Sequence, residues 1–458
     1  MITLIKIDKN KNPMKKNLLL LLFTLFFSAS CQKNINNNNK NTTQKSTEKI
    51  KIDTIKPKIA EVFCNFQLGN ERLELYVPLL KDKNVALVVN HTSLIKGEQH
   101  LVDFLLEKKV NIKTIFAPEH GFRGTADAGE AVKNGIDTKT NLPIISLYGN
   151  NKKPTNEQLK GIDVVIFDIQ DVGARFYTYI STMHYVMEAC AENQKKMLIL
   201  DRPNPNNVPN EVVDGCILDK KLTSFVGMHE IPILHGLTVA ELALMINGEK
   251  WLKNGIQCDL NVVKYIDFDC FMKAGNNKIE SENTYNSIPF FMSKVPPSPN
   301  LRSFRAVKLY ASLCLFEGTI MSVGRGTETP FELIGYPDKV FGDFSFIPKS
   351  IIGMAKMPLF ENKECFGIDL RNINIEKTNI EKQGIDLDYL IDFYKKRNQK
   401  DEKQNAFFNS FFDKLAGSDA LRLQIIAGKS TKEIKKSWQK ELEKYKIIRK
   451  KYLLYPNN

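Results

Sequence analysis

An acid, an imidazole and a guanidinium share one short loop in Ala117-Pro118-Glu119-His120-Gly121-Phe122-Arg123-Gly124. A carboxyl group on such a glycine-flanked loop is placed to give or take a proton, so Glu119 is the first candidate for a catalytic acid, with His120 and Arg123 beside it. The same spacing would also serve an ion pair of Glu119 with Arg123 at a helix start. What favours chemistry is the element before it. Ile112 to Phe116 reads as a strand, and a rigid strand aims side chains that the following loop leaves exposed.

The same arrangement recurs along the first half of the chain. Apolar runs at Val85–Val89, Val164–Phe167 and Met197–Leu200 alternate with helical patterns at His100–Lys108 and Tyr179–Ala191. This alternation predicts an α/β fold with a mostly parallel sheet covered by helices. Each run ends in polar residues: Asn90-His91-Thr92, Glu119-His120, Asp168-Ile169-Gln170-Asp171 and Asp201-Arg202-Pro203-Asn204. Ligands of open α/β sheets bind outside the carboxyl ends of the strands, so the four clusters are expected to converge on one crevice.

Beyond about Asn276 the character changes. Pro296-Pro297-Ser298-Pro299-Asn300 is a stiff segment that links domains or lines a groove. It introduces a second unit in which Glu317, Arg325 and Glu332 lie among glycines and aromatics, a setting that suits a binding cleft. Ion pairs that stabilise turns are the plainer reading of the same residues.

The two ends of the chain differ from its body. Lys15-Lys16, the apolar run Leu18 to Phe27 and Ser28-Ala29-Ser30-Cys31 have the order of a secretory signal, and the cysteine suggests a lipoprotein signal with Cys31 as the lipidated residue. Residues 1–31 are thus expected to be the signal and 32–57 a polar linker that tethers a domain to a membrane, giving an exported, periplasmic or outer-membrane-associated protein. The net charge of +13 is concentrated at the ends, +8 in residues 1–57 and +7 in 428–452, which leaves about −2 between them. A near-neutral body removes the main support for nucleic-acid binding. The basic C-terminal segment reads as an amphipathic helix, with a capping box at Ser430-Thr431-Lys432-Glu433 and Ile434, Trp438, Leu442, Tyr445 and Ile448 on one face. Neither zinc-ligand spacing, a Walker A sequence nor a dinucleotide fingerprint occurs, so no metal or cofactor is expected. Cys258 and Cys270 are the nearest pair for a disulfide.

These blocks, taken in order, resemble the NamZ-type exo-β-N-acetylmuramidases, long catalogued as a domain of unknown function. The resemblance runs from about Leu68 to Tyr455. It rests on Val89–Thr92, Pro118–Gly124, Asp168–Ser181, Asp201–Pro205, His235-Gly236, Pro297–Asn300, Glu317–Thr319, Gly324–Thr327 and Pro330–Glu332. Leu301-Arg302 and Met228-His229-Glu230 depart from the usual pattern. The resemblance implies a Rossmann-like N-terminal domain, here 58–290, and a smaller α+β C-terminal domain, 291–458, with the active site in the cleft between them. It implies removal of N-acetylmuramic acid from the non-reducing end of peptidoglycan fragments, with Glu119 as the catalytic acid.

Glycoside cleavage needs one protonated acid and a second group that attacks, activates water or stabilises the developing cation. For the second role Asp168 and Asp171 rank first, then Glu317 and Glu332, with Tyr177 or Tyr179 as tyrosine nucleophiles. Arg175 and Arg325 are the candidates to clamp the sugar's lactyl carboxylate. Asn90, His91, His120, His235 and Asn300 are placed to bond hydroxyls or the acetamido group, and Tyr148 or Tyr177 to stack on the ring. Two rivals stand beside this reading. One is a periplasmic lipoprotein that binds amino sugars without cleaving them. The other is a metal hydrolase using His91, His120 and Asp168, which lacks the usual His-Glu-x-x-His helix.

Overall fold

A computed structural model describes residues 66–123, 134–207, 212–266, 295–375, 378, 380, 384–398 and 407–455. Cys31, Gly124 and Cys270 lie outside these residues, so the expected lipid anchor and disulfide do too. The strands in chain order are β1 (Asn84–Val89), β2 (Leu94–Ile95), β3 (Gln99–His100), β4 (Asn111–Ala117), β5 (Gly135–Ile136), β6 (Pro143–Ser146), β7 (Val164–Asp168), β8 (Lys196–Leu200), β9 (Asp259–Val263), β10 (Leu333–Tyr336), β11 (Phe344–Phe346) and β12 (Cys365–Asp369).

Seven of them form one sheet in the order β5-β6-β4-β1-β7-β8-β9. Every pairing is parallel except that of the edge strand β5 with β6. The central strands β1 and β7 are almost wholly buried, as strands covered on both faces must be, and this is why they read as unbroken apolar runs. Successive residues serve opposite faces: Ala86 and Val88 join one apolar cluster, Val85, Leu87 and Val89 the other. Strand order reverses at β1, between β4 and β7, so the carboxyl ends of these three strands frame the switch point where open sheets take ligands.

Helices Leu101–Glu107, Tyr179–Glu192 and Val239–Gly248 lie in the connections. Thr238 caps the last of these with a complete capping box. Asp201, at the end of β8, accepts from Thr238 Oγ1 at 2.8 Å and from the Ala240 N–H at 3.0 Å. It also accepts from the Tyr455 hydroxyl at 2.6 Å.

The C-terminal part is a smaller α+β layer: an antiparallel three-stranded sheet, β10-β12-β11, with helices Phe304–Leu313, Asp388–Asn398 and Thr431–Arg449. Thr431–Arg449 is the helix expected from the pattern, capped by Ser430 and Glu433. It docks through Ile434, Trp438, Leu442 and Tyr445, with Ile448 partly buried. These side chains belong to the same apolar cluster as Ala86 and Val88, so the C-terminal part covers one face of the main sheet. Tyr445 donates to the His235 carbonyl at 2.7 Å, and the Arg449 guanidinium, itself buried, bonds that of Gly236.

Candidate active site

One cavity of about 810 Å³ opens between the carboxyl end of the sheet and the C-terminal part. That size is within the range that encloses a small ligand. Glu119 and His120 reach it from the end of β4, Tyr148 and Lys152 from the segment after β6, and Phe176, Tyr177 and Thr178 from the loop after β7. Ser298, Asn300, Glu317, Arg325 and Phe331 close it from the other side, and Met354 to Leu359 form part of its rim.

The Glu119 carboxylate is held by a hydroxyl group. Thr178 Oγ1 donates to Oε2 at 2.6 Å, and the Tyr148 phenol lies close enough to feel the same side chain's charge. Burial, reinforced by the negative charge of Glu119, pushes the Tyr148 phenol well above its ordinary value. His120 takes a left-handed backbone conformation (φ 69°), and so does Phe331 (φ 61°) across the cavity. Such positions cost on the order of 1–3 kcal/mol for a residue with a Cβ and concentrate at sites where function fixes the backbone.

Arg325 occupies the tip of the turn formed by Gly324 (φ 75°) and Gly326 (φ 84°), closed by the Thr327 N–H on the Gly324 carbonyl at 3.0 Å. A Cβ on Gly326 would stand 2.6 Å from Pro358, so glycine is needed there for close approach to the rim. The Nε of Arg325 donates to Glu317, its Cζ lies 5.0 Å from the Phe331 ring centre, and its Nη1 is buried with no partner within the protein.

The Pro-rich segment lines the groove and is tied to the sheet end. His91 Nε2 donates to the Pro296 carbonyl at 2.8 Å and the Tyr177 hydroxyl to that of Pro297 at 2.7 Å. Burial holds His91 down at about 4, only partly offset by that hydrogen bond, so the ring is neutral at physiological pH.

Several expected site residues do other work. Asp168 is fully buried, receives both the Nε (2.6 Å) and Nη2 (3.0 Å) of Arg202, accepts from Asn70 and does not line the cavity. Asp171 is turned inward as well: it accepts from the Gly173 N–H at 2.6 Å, and burial pushes its carboxyl up to about 7. Glu332 accepts from Ser303 and, at 3.3 Å, from Arg305. Arg175, expected as a clamp, is fully buried and gives its two terminal nitrogens to the carbonyls of Cys216, Ile231, Leu415 and Ala416. Arg123 forms a bidentate pair with Asp137 at 3.0 and 2.8 Å and stacks on Phe122. Tyr179 lies behind Tyr177, fully buried and facing Asn90. His235 is a core histidine that accepts from the Leu237 N–H.

The four strand-end clusters therefore do converge, but three of them largely brace one another. Ser93 donates to the Asp168 carbonyl, the Gln170 N–H to Thr92 Oγ1 at 3.0 Å, and Gln170 Nε2 to the Pro203 carbonyl at 2.9 Å. Only Glu119-His120 among them faces the cavity. Sequence reasoning passed over Thr178, Lys152, Phe225 and the rim. Met354-Ala355-Lys356-Met357-Pro358-Leu359 carries a usable signal, an apolar run without periodicity, and Met357 is 89% exposed. Among the described residues no three His, Cys, Asp or Glu side chains are grouped to hold a metal ion, and no helix is long and apolar enough to cross a membrane.

The chain can now be set beside known proteins. It is 38% identical over 392 residues to the peptidoglycan β-N-acetylmuramidase NamZ of Bacillus subtilis (strain 168), an alignment covering 83% of this chain and 89% of that one. Two crystal structures of DUF1343-family proteins from Bacteroides fragilis NCTC 9343 share its fold. One has a TM-score of 0.73 at 45% identity, covering 86% of this chain and all of the other. The second has a TM-score of 0.68 at 27% identity, covering 85% and 99%. The models of the N-terminal and C-terminal parts of the exo-β-N-acetylmuramidase NamZ match residues 85–305 and 308–455, and the chain belongs to this family of glycosidases.

Proposed function

We propose that this protein releases N-acetylmuramic acid from the non-reducing end of peptidoglycan fragments, with Glu119 as the general acid. The observation that carries this reading is the pairing, in one cavity, of a carboxyl group bonded by the Thr178 hydroxyl with an arginine whose Nη1 is unspent. Glu119 delivers a proton to the leaving oxygen, while Arg325 meets the lactyl carboxylate with a charge-assisted hydrogen bond. Asp168, Asp171 and Glu332 do not line the cavity; Glu317, though paired with Arg325, is the other described carboxylate that does, and it takes the second role. Tyr177 lines the cavity too, but its phenol is bonded to Pro297 and burial pushes it far above its ordinary value, which makes a phenolate costly. Lys152, 4.9 Å from the Phe225 ring centre, adds positive charge at the wall.

Release of free N-acetylmuramic acid from a muramic-acid–N-acetylglucosamine disaccharide tests the reading. The parent protein is expected to release it, and Glu119→Gln to lose on the order of 10²–10⁴ of the rate. A parent that binds the disaccharide without cleaving it would replace this function with sugar binding alone.

Export and anchoring belong to the same proposal: Cys31 carries the lipid and residues 32–57 hold the enzyme near the membrane. Incorporation of labelled fatty acid, lost in Cys31→Ser, is the expected result.

A further inference from the structure

The segment that ends in Asn300 is fixed at each step. Pro296 and Pro297 are tied to His91 and Tyr177, the Asn300 N–H donates to Ser298 Oγ at 3.1 Å, and Leu301 closes a bridge back to Ser298. The side-chain amide is fixed as well. Asn300 Nδ2 donates to the Met354 carbonyl at 2.9 Å. A carbonyl oxygen only accepts, so the amide cannot be turned over without setting oxygen against oxygen, and its polarity is therefore defined. Oδ1 points elsewhere. It is buried, it has no hydrogen-bonding partner within the protein, and the residue, 2% exposed, lines the cavity that holds Glu119 and Arg325.

A buried amide oxygen left unpaired is costly, and what can satisfy it is narrow: an N–H or O–H, never a second acceptor. Arg325 Nη1 is the converse, a buried donor without a partner on the same cavity. Two residues that line the cavity thus keep one acceptor and one donor that the protein leaves unpaired. On a muramic acid ring the acetamido group at C2 and the lactyl ether at C3 are neighbours and supply that combination, an amide N–H and a carboxylate.

We infer that Asn300 is the specificity-determining residue for the 2-acetamido group, its Oδ1 accepting a hydrogen bond from the substrate's amide N–H. This rests on the muramidase reading above and adds to it a requirement for N–H at C2. A site built to bond a substrate N–H rejects the analogue lacking it far more strongly than an apolar pocket rejects a missing methylene, because the rejected complex strands a buried acceptor. In this case the stranded group would also face an ester oxygen.

The test replaces one atom of the substrate. The muramic-acid disaccharide is compared with its 2-O-acetyl counterpart, in which oxygen stands for the amide N–H, using the full-length protein and Asn300→Ala. The parent is expected to prefer the amide by about 10²-fold or more in kcat/KM. In Asn300→Ala the preference falls to within about tenfold, whatever the variant's overall rate. Equal use of both substrates by the parent overturns the inference, as does a preference that survives at full size in the variant. Calorimetric binding of N-acetylmuramic acid against its 2-O-acetyl analogue to the parent needs no variant, so it decides the question if Asn300→Ala does not fold. It also separates the two proposals. Discrimination in binding without any cleavage removes the glycosidase reading and keeps the role of Asn300, whereas cleavage without discrimination does the reverse.

Discussion

Arg175 and Arg325 were equivalent by type and by nearness to polar motifs, yet they sit in opposite environments. Around Arg175 the loops of the first half and the Leu415-Ala416-Gly417 turn close completely: four carbonyls take its terminal nitrogens, and a Cβ on Gly417 would stand 2.3 Å from Nη2. Around Arg325 one carboxylate and one aromatic ring hold the side chain, Nη1 is buried without a partner, and the residue lines the cavity. The lesson is that burial and charge do not separate a binding arginine from a scaffold arginine. What separates them is where the unused capacity lies: Arg175 Nε is also without a partner, but Arg175 does not line the cavity, whereas Arg325 does.

Exchanging each arginine for glutamine sharpens the contrast most. Arg325→Gln is expected to lower kcat/KM by on the order of 10²–10³, the cost of a lost charge-assisted contact, and to leave the melting temperature nearly unchanged. Arg175→Gln should do the opposite, losing about 3 kcal/mol or more of stability while any protein that folds keeps its KM. If Arg175→Gln raised KM with an intact melting curve, the comparison would break. Next in size is Asp168→Ala, which strands Arg202 in the interior; denaturant unfolding should show a loss of about 3–5 kcal/mol.

A smaller effect follows from His91, whose ring is held down at about 4 against an ordinary value near 6.5. A basic group with a depressed folded-state value contributes stability that is complete above the unfolded value and is lost as pH falls from about 6.5 to 4. The stability difference between the parent and His91→Gln should therefore shrink by about 3 kcal/mol over that window, since one pKa unit corresponds to about 1.4 kcal/mol. A difference that stays flat with pH would mean that the ring is not enclosed as described. The smallest effect belongs to the surface: Ser430→Ala removes the cap of the last helix and should cost about 1 kcal/mol without touching catalysis.

Much of the fold was legible because its central strands are buried on both faces. Val85–Val89, Val164–Phe167 and Met197–Leu200 stand out as apolar runs, and the Ser430 helix announces itself by cap and period. β9 did not. Asp259-Leu260-Asn261-Val262-Val263 is an edge strand with exposed alternate residues, and β5 is a two-residue pairing set by its neighbour β6. The site was legible in part. Glu119, Tyr177, Asn300, Glu317 and Arg325 do line one cavity, but a pattern of residue types carries no record of which carboxylates are already paired. Asp168 looked as reactive as Glu119 because Arg202, its partner, is thirty-four positions away in sequence. Thr178 passed unremarked for the converse reason: a threonine gains meaning only once the fold sets it 2.6 Å from an acid.

The hydroxyl of Tyr455 on Asp201 carries a consequence for how the molecule comes into being. Every strand of the main sheet is synthesised long before that tyrosine, yet the carboxylate at the end of β8 is buried only when the chain's far end arrives to cover it, stacked on Tyr265. Burial raises Asp201 to about 7, so until then the group belongs in water. A chain truncated before Tyr455 keeps every residue that lines the cavity and lacks this contact, so it is expected to be cut by a protease faster than the full-length chain.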